Sequence, residues 1–321
     1  MAFLHHIPRR CLGFDIAKET IAVSDGRTVQ LIDNQRTAIR RFLRSCQADF
    51  AVCEPTGGHE TILLEECLRL ELPAHRVDTR KLKAFIRSRG RLGKSDAIDA
   101  RELAAYGLER WASLVLWDAP DPCQAKLKAL VRRRDDLVAT RVAEQNRAKA
   151  PGASERGASE LGASELAATF RAVLVVLERQ IKRIDQAIQA LMRTGPLKHK
   201  CDVMTAMPGI AQTTAAALIA ALPELGTMDR KQAAALAGLA PHPNESGKKI
   251  GYRRMRGGRP AVRTILFMPA MQAACGRGEF AAFYKRLVDA GKKPILALAA
   301  VMRKIVVTLN ARLRDAQIQQ S

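Results

Sequence analysis

Short apolar runs alternate with amphipathic stretches along the first third of the chain. Runs of strand length and composition occupy residues 11–16, 20–24, 28–32, 49–53 and 75–77. Apolar residues at helical spacing occupy 38–46, 60–70, 81–86 and 95–108. The order β-β-β-α-β-α-β-α predicts an α/β domain in which helices cover a mixed sheet.

The middle of the chain is patterned differently. A polar helix is predicted over 125–147, and the stretch 151–165 then repeats GASE three times at a five-residue period, which predicts a flexible connector. Apolar residues follow at heptad spacing: Phe170, Leu174, Leu177, Ile181, Ile184, Ile188 and Leu191. Heptads predict a coiled coil. A core helix inside one subunit would give the same pattern, but we favour a projecting helical hairpin that also pairs subunits.

The last third is predicted to be helical, over 198–206, 211–222, 229–238, 262–275 and 295–314. The turn Met207-Pro208-Gly209-Ile210 is typical of a helix-hairpin-helix motif, in which backbone N–H groups near Gly209 contact a phosphate. We therefore divide the chain into an α/β domain (1–118), a coiled-coil region with the GASE insert (119–196) and an all-α C-terminal domain (197–321).

The net charge of the chain indicates what kind of partner it binds. The chain has 53 Lys and Arg against 32 Asp and Glu, a net charge of +21, of which residues 1–120 carry +3 and residues 198–321 carry +13. Such an excess predicts a polyanionic partner. Aromatic residues make up only 4% of the chain, which argues against a surface that stacks bases. The seven cysteines form no CxxC spacing, so a disulfide framework or a thiolate zinc site is not expected. No signal peptide or membrane span is predicted, which indicates a soluble cytosolic protein.

Four carboxylates occupy positions suited to chemistry. Asp15 interrupts an apolar strand, Glu54 ends another, and Asp96 and Asp99 begin a helix on one face. If these elements meet at one sheet edge, their oxygens suit Mg²⁺, or Mn²⁺ in its place. Each of three acids also has a simpler structural explanation. Asp96 would stabilise a helix N-terminus, Glu54 would occupy a turn, and Asp99 would be a solvated surface charge.

A basic segment without acids lies between Glu245 and Glu279. Its candidate nucleic-acid contacts are Gly247, Lys248, Lys249, Arg253, Arg254, Arg256, Arg259 and Arg263. Arginine binds phosphate bidentately, and glycine lets the backbone approach it. Ser246 begins the segment, and from the residues alone it is a turn or phosphate-contacting hydroxyl.

Several motifs resemble one known family. The stretches GFDIAKE (13–19), CEPTGG (53–58), GKSDAIDARELA (93–104) and AMPGIAQTTAAALIA (206–220) resemble the DEDD-type insertion-sequence transposases of the IS one-ten family. The resemblance implies an RNase H or RuvC-like N-terminal domain and a C-terminal serine transposase domain. It implies that Asp15, Glu54, Asp96 and Asp99 are catalytic and hold metal, and that Ser246 attacks the scissile phosphate to form a covalent 5′-phosphoserine.

The same resemblance implies the partners. Members of the family recombine double-stranded target and donor DNA under the guidance of a structured bridge RNA, as dimers that assemble into a tetramer in the synapse. The expected location is the bacterial cytoplasm, in association with the nucleoid.

Two other interpretations remain open at this stage. The first is a RuvC-like, metal-dependent nuclease that cuts structured DNA without a covalent intermediate. The second is a non-catalytic nucleic-acid-binding protein in which the four acids are structural.

Overall fold

The protein is described here by a computed structural model that covers residues 6–90, 93, 95–150, 160–247, 249–251 and 253–319, with only the backbone of 160–164, 249 and 250. The chain forms two units, Met1–Pro120 and Asp121–Ser321.

The first unit is built on a five-stranded sheet. Its strands are β1 (Cys11–Ile16), β2 (Thr20–Ser24), β3 (Val29–Asp33), β4 (Phe50–Cys53) and β5 (Ala74–Arg76). Their order across the sheet is β3-β2-β1-β4-β5. The β1–β2 and β2–β3 pairs are antiparallel, whereas β1–β4 and β4–β5 are parallel. The mixed sheet predicted from the apolar pattern is therefore confirmed, and β1 lies at its centre.

Four helices cover the two faces of this sheet. They are α1 (Arg36–Ser45), α2 (Thr61–Arg69), α3 (Thr79–Ser88) and α4 (Asp96–Arg110). One apolar cluster joins α1 and α2 to β1 through Leu12, Phe14 and Ile16, and a second joins α3 and α4 to Cys11. Alternate residues of a strand point to opposite faces, so β1 contributes to both clusters.

Gly13 allows one helix to approach β1 closely. A Cβ atom at Gly13 would lie 2.1 Å from the Ala100 carbonyl oxygen and 2.4 Å from the Ala104 backbone nitrogen. The backbone of α4 therefore lies directly against the strand, where no side chain fits between them.

The second unit begins with a helical hairpin. Helices α5 (Pro122–Lys149) and α6 (Glu160–Met192) pack against each other. The heptad residues form the inward side of α6: Ile181 and Ile188 are buried, and the other five are half-buried. Arg134 Nε donates to Asp185 Oδ1 at 2.5 Å, which links the two helices. Much of the heptad pattern thus serves packing within the chain.

The end of the predicted connector is helical. Residues 151–159 lie outside the described part of the chain, but 160–165, the end of the repeat, already belong to α6. The prediction of a flexible segment up to 165 was wrong. Leu, Ala and Glu are strong helix formers, and in this stretch their propensity outweighs the short repeat period.

Six helices form the rest of the second unit. They are α7 (Gly195–Thr205), α8 (Gln212–Ala221), α9 (Arg230–Leu236), α10 (Pro260–Cys275), α11 (Glu279–Asp289) and α12 (Pro294–Ile318). The sequence pattern missed α11, which buries none of its residues completely. Helix α12 is long and apolar enough to cross a membrane by length and composition alone. In the fold it supplies much of the core, through residues such as Val301, Ile305 and Leu309.

Four two-residue strands interrupt this helical unit, contrary to the all-α prediction. They are β6 (Pro241–His242), β7 (Glu245–Ser246), β8 (Lys249–Ile250) and β9 (Arg254–Met255). Strands β6 and β9 form one antiparallel ladder, and β7 and β8 form another. Two residues are too few to produce an alternating pattern, which is why the sequence did not indicate them.

Candidate functional site

All four predicted carboxylates line one cleft in the first unit. The cleft has a volume of about 690 Å³, and its wall includes Asp15, Glu54, Asp96 and Asp99. These residues come from the central strand, the end of its parallel neighbour and the start of α4. The structure thus brings together side chains that are up to 84 positions apart in the sequence.

The register of the central strands explains why two of the acids are neighbours. Phe14 of β1 pairs with Cys53 of the parallel strand β4. Asp15 and Glu54 each follow one member of that pair, so they are neighbours at the end of the β1–β4 ladder. Ligands of α/β sheets commonly bind beyond the carboxyl ends of parallel strands, where such side chains meet.

The start of α4 supplies the other two acids. Ser95 caps the helix, with its hydroxyl oxygen accepting from the Ile98 N–H at 3.3 Å. Asp96 and Asp99 lie in the first turn, on the side that faces the cleft. A carboxylate at a helix N-terminus also benefits from the helix dipole, so the structural explanation of Asp96 and the site explanation are compatible.

Two cationic residues at the cleft were missed by the sequence analysis. Lys83 and Arg87 lie one turn apart on α3, and both line the cleft together with Thr79 of the same helix. Their spacing of four residues predicts that they share one face of α3, but it does not indicate that this face is turned towards the cleft. Arg89 at the end of α3 forms ion pairs with Glu102 and Glu109, which attach α3 to α4 across this region.

The donor set suits a hard cation. Carboxylate oxygens are the ligands that Mg²⁺ and Mn²⁺ prefer. Among the residues described, no three His, Cys, Asp or Glu side chains stand close enough together to hold one ion. By the chemistry of its donors the cleft nonetheless fits a divalent metal.

Thiolate ligands are not indicated. Burial raises the pKa of the thiols of Cys11 and Cys53, and it raises that of Cys67 to about 12. These three cysteines lie in the apolar clusters of the sheet. They are neutral thiols at physiological pH and behave as small apolar side chains.

Ser246 lies in the second unit, on an exposed hairpin. Strand β7 ends at Ser246, which pairs with Lys249 of β8, and the next residue, Gly247, adopts a positive φ of 55°. The serine is exposed. A hairpin tip of this kind places its hydroxyl within reach of a large ligand, whereas a core position would not.

The predicted cationic residues around Ser246 fall into two groups. Arg254 and Arg256 are exposed, whereas Arg259 donates two hydrogen bonds to Glu224, at 2.7 and 2.6 Å. Arg263 Nη1 donates to the Gly238 carbonyl at 3.1 Å, and Arg253 pairs with Glu245 at 2.9 Å. Lys248 and the side chain of Lys249 lie outside the described part of the chain. Three of the predicted phosphate contacts are thus already engaged within the fold.

Gly209 lies in the turn between α7 and α8, with a φ of 87°. The Ile210 N–H donates to the Met207 carbonyl at 3.1 Å and closes the turn. The predicted turn between two helices is therefore present, while its assignment as a helix-hairpin-helix motif and the phosphate contact at Gly209 stay predictions.

Two family models match the chain. Residues 12–150 match a model described as "Transposase", of the DEDD IS110 type, and residues 201–285 match the "Transposase IS116/IS110/IS902 family". The first range contains all four acids of the cleft, and the second contains Ser246 and Gly209. The five-stranded mixed sheet with its covering helices fits an RNase H-like DEDD domain, a type that indicates dependence on a divalent metal.

Full-length and partial relatives agree with these matches. The chain is 26% identical to the pilin gene-inverting protein of Moraxella bovis over 320 aligned residues, which cover 95% of each protein. The corresponding Moraxella lacunata protein is 25% identical over the same share. A 43.6 kDa protein of insertion element IS110 from Streptomyces coelicolor is 33% identical over 46% of this chain and 36% of its own length. The chain therefore belongs to the IS110 family of transposases and is an enzyme that recombines DNA.

Proposed function

We propose that this transposase cuts and exchanges DNA strands by combining the acidic cleft with a serine nucleophile. In this proposal Asp15, Glu54, Asp96 and Asp99 hold Mg²⁺, or Mn²⁺, at the scissile phosphate. The observation that carries it is the gathering of these four acids, from three separate elements, along one cleft. The bound metal would neutralise charge on the phosphate and on the leaving oxygen.

The cationic wall of the cleft supports a phosphate substrate. Lys83 and Arg87 face the same space as the acids. Four carboxylates alone would repel a DNA backbone, whereas a lysine and an arginine beside them attract the phosphates that flank the scissile one. We assign Lys83 and Arg87 to holding the strand.

Ser246 is the proposed nucleophile. Its Oγ forms a bond to the scissile phosphorus, the bond from phosphorus to the 3′ oxygen breaks, and the 5′ end stays attached as a phosphoserine. The hydroxyl proton is lost as Oγ attacks, and the departing 3′ oxygen takes up a proton. Because the covalent link keeps the energy of the phosphodiester, the freed 3′-OH of another strand can reverse the reaction without ATP.

A pair of substitutions tests this mechanism. Asp15→Asn keeps the size of the side chain but removes its charge, and we expect strand cleavage to be lost while DNA binding persists. Ser246→Ala should abolish the protein–DNA adduct that survives denaturation in detergent. Cleavage that continues in Ser246→Ala would support a metal-dependent nuclease without a covalent intermediate. Cleavage that continues in Asp15→Asn would remove the acidic cleft from the mechanism.

A structured guide RNA is the second part of the proposal. The chain carries a net charge of +21 and few aromatic residues, which suits the binding of nucleic-acid backbones better than the reading of bases. Pairing with an RNA would supply the specificity for target and donor DNA instead. Sequencing the RNA that co-purifies with the protein, then testing recombination between DNAs that match its loops, decides the point. Efficient recombination by RNA-free protein would refute it.

Subunit pairing is the third part. Helix α6 leaves Val173, Val175 and Val176 exposed. Val173 and Val176 lie three residues apart on one face of the helix, and an exposed apolar face is typical of an interface. We propose that the chain has an α/β domain (1–118), a coiled-coil region (119–196) and a C-terminal domain (197–321). In this proposal the coiled-coil region pairs two chains into a dimer, and dimers assemble into tetramers on DNA. Light scattering of a Val173→Asp, Val176→Asp variant should then report monomers, and an unchanged mass would contradict the pairing.

The family points to a soluble cytoplasmic protein, and we propose that it acts at the nucleoid.

A further inference from the structure

Two buried polar side chains lie next to the acidic cleft without lining it. Glu60 is 4% exposed and Asn34 is 8% exposed, and both belong to the first unit. Buried polar groups are costly to desolvate, so each one in a fold requires an explanation. The side chains of both residues form hydrogen bonds to the backbone of the loops that follow Asp15 and Glu54.

Glu60 organises the loop that leaves Glu54. One of its carboxylate oxygens accepts from the Thr56 N–H at 3.0 Å, the Thr56 hydroxyl at 3.2 Å and the Gly58 N–H at 2.8 Å. The other oxygen lies 3.4 Å from Arg76 Nη1 on β5. The loop is thereby folded around a single carboxylate and attached to the neighbouring strand.

This loop needs such support. Gly57 and Gly58 both adopt a positive φ, of 76° and 117°. Consecutive glycines lose much backbone entropy when they are fixed, so the segment has little stability of its own. Charge-assisted hydrogen bonds from its N–H groups to Glu60 offset that loss.

Asn34 joins this loop to the one that follows Asp15. Its side-chain Nδ2 donates to the Ala17 carbonyl at 2.9 Å and to the His59 carbonyl at 3.3 Å. Ala17 lies two residues after Asp15, and His59 lies five residues after Glu54. Since both partners are carbonyls, the amide must point its NH₂ group at them, and one side chain bridges the two loops.

We infer that Glu60 and Asn34 are positioning residues of the transposase, which fix where Asp15 and Glu54 stand relative to each other. The inference rests on the proposed role of these acids as metal ligands. Ligand groups must be held to within about half an ångström for tight binding. Partners that orient the ligands typically contribute 10–100-fold to metal affinity. Glu60 and Asn34 act on the ligand-bearing backbone instead of on the carboxylates themselves.

The test measures metal binding without the reaction. A bound ion raises the melting temperature by mass action, so titrating Mn²⁺ or Mg²⁺ against melting temperature yields an apparent affinity. We expect the half-saturating metal concentration to rise about 10–100-fold in Glu60→Ala and in Asn34→Ala. Glu60→Gln keeps a carbonyl oxygen for Thr56 and Gly58, and it should restore most of the affinity.

Glu66→Gln is the matched control. Glu66 is a second buried glutamate, inside α2, but its hydrogen bonds go to Arg36 and Arg40 and not to either loop. Its substitution should lower the melting temperature without changing the half-saturating metal concentration. A positioning role and a merely structural role are separated by that difference.

The outcomes distinguish this inference from the proposed function. A metal-induced shift that occurs in the wild type and disappears in Asp15→Asn establishes the metal site. If that holds and both alanine variants bind metal as tightly as the wild type, the positioning role is overturned. If the wild type shows no metal-induced shift, the proposed function fails first. Should Glu60→Ala not fold, Asn34→Ala and Glu60→Gln carry the comparison.

Discussion

At the scale of single residues, one buried ion-pair network holds α1 on α2. Glu66 is fully buried, and its carboxylate accepts from Arg40 Nε at 2.7 Å and from Arg36 Nη1 at 2.9 Å. Hydrogen bonds from Arg40 and Arg36 lower the pKa of Glu66 to about 2, against the opposing effect of burial. The network contributes to stability only while the carboxylate is ionised.

The lowered pKa of Glu66 predicts a specific dependence of stability on pH. An unperturbed glutamate has a pKa of about 4.3, so the contribution is complete above about pH 5 and is lost as the pH falls towards 2. We expect Glu66→Gln to lower the free energy of unfolding at neutral pH by about 1.5–3 kcal/mol, the range for hydrogen bonds to charged groups. The difference should shrink as the pH falls. Urea unfolding of both proteins at several pH values checks this, and a difference that is constant with pH would contradict it.

At the scale of elements, the contact between α4 and the central strand places half of the acidic cleft. Gly13 lets the helix backbone touch β1, and the same helix carries Asp96 and Asp99 at its start. A second glycine, Gly107, also faces the sheet, where a Cβ would lie 2.4 Å from the Cys11 sulfur. The positions of Asp96 and Asp99 therefore depend on Gly13 and Gly107, which have no side chain to hold the helix away from the sheet.

These two glycines predict a graded result. In Gly13→Ala the new methyl group meets the helix backbone, which can give way only if α4 moves, whereas in Gly107→Ala it meets only side chains, those of Cys11, Val52 and Phe50. Overpacking typically costs about 1–3 kcal/mol, and we expect Gly13→Ala at the upper end and Gly107→Ala at the lower. Gly13→Ala should also weaken metal binding, because the acids of α4 move with the helix. Thermal unfolding and metal titration measure both effects, and equal losses in the two variants would contradict the backbone argument.

The elements also show where sequence reasoning succeeds. Five strands and the first helices follow from the spacing of apolar residues, because a half-buried element must repeat its apolar side at its own period. Asp15 was identifiable because a charge within a buried strand is costly. Lys83 and Arg87 were not, since the face that α3 turns to the cleft depends on tertiary packing. Arg259 was taken for a phosphate contact because its partner, Glu224, lies 35 residues away and leaves no local signal.

At the scale of the whole molecule, the charge is divided between two tasks. The first 120 residues carry only +3, and their acids include the four of the cleft, while residues 198–321 carry +13. Seven lysines and arginines lie between Ser246 and Pro269. If all seven neutralised phosphates, the logarithm of the binding constant would fall with log salt at a slope near −6. Arg259 and Arg263 instead hold the basic segment to the helical core, and Arg253 pairs with Glu245. The segment should therefore contribute less to the slope than its composition suggests.

Salt dependence can separate the two kinds of arginine. Replacing the exposed Arg254 and Arg256 together by alanine should reduce the magnitude of the slope by about 1.8, since each duplex phosphate contact contributes about 0.9. Arg259→Ala removes a bidentate pair with Glu224, so it should lower the melting temperature and leave the slope unchanged below that temperature. Binding of a labelled DNA duplex between 50 and 300 mM salt measures the slopes. If Arg259→Ala reduced the slope as much as removal of an exposed arginine, its pairing with Glu224 would have to open on DNA, and the basic segment would be rebuilt when the substrate binds.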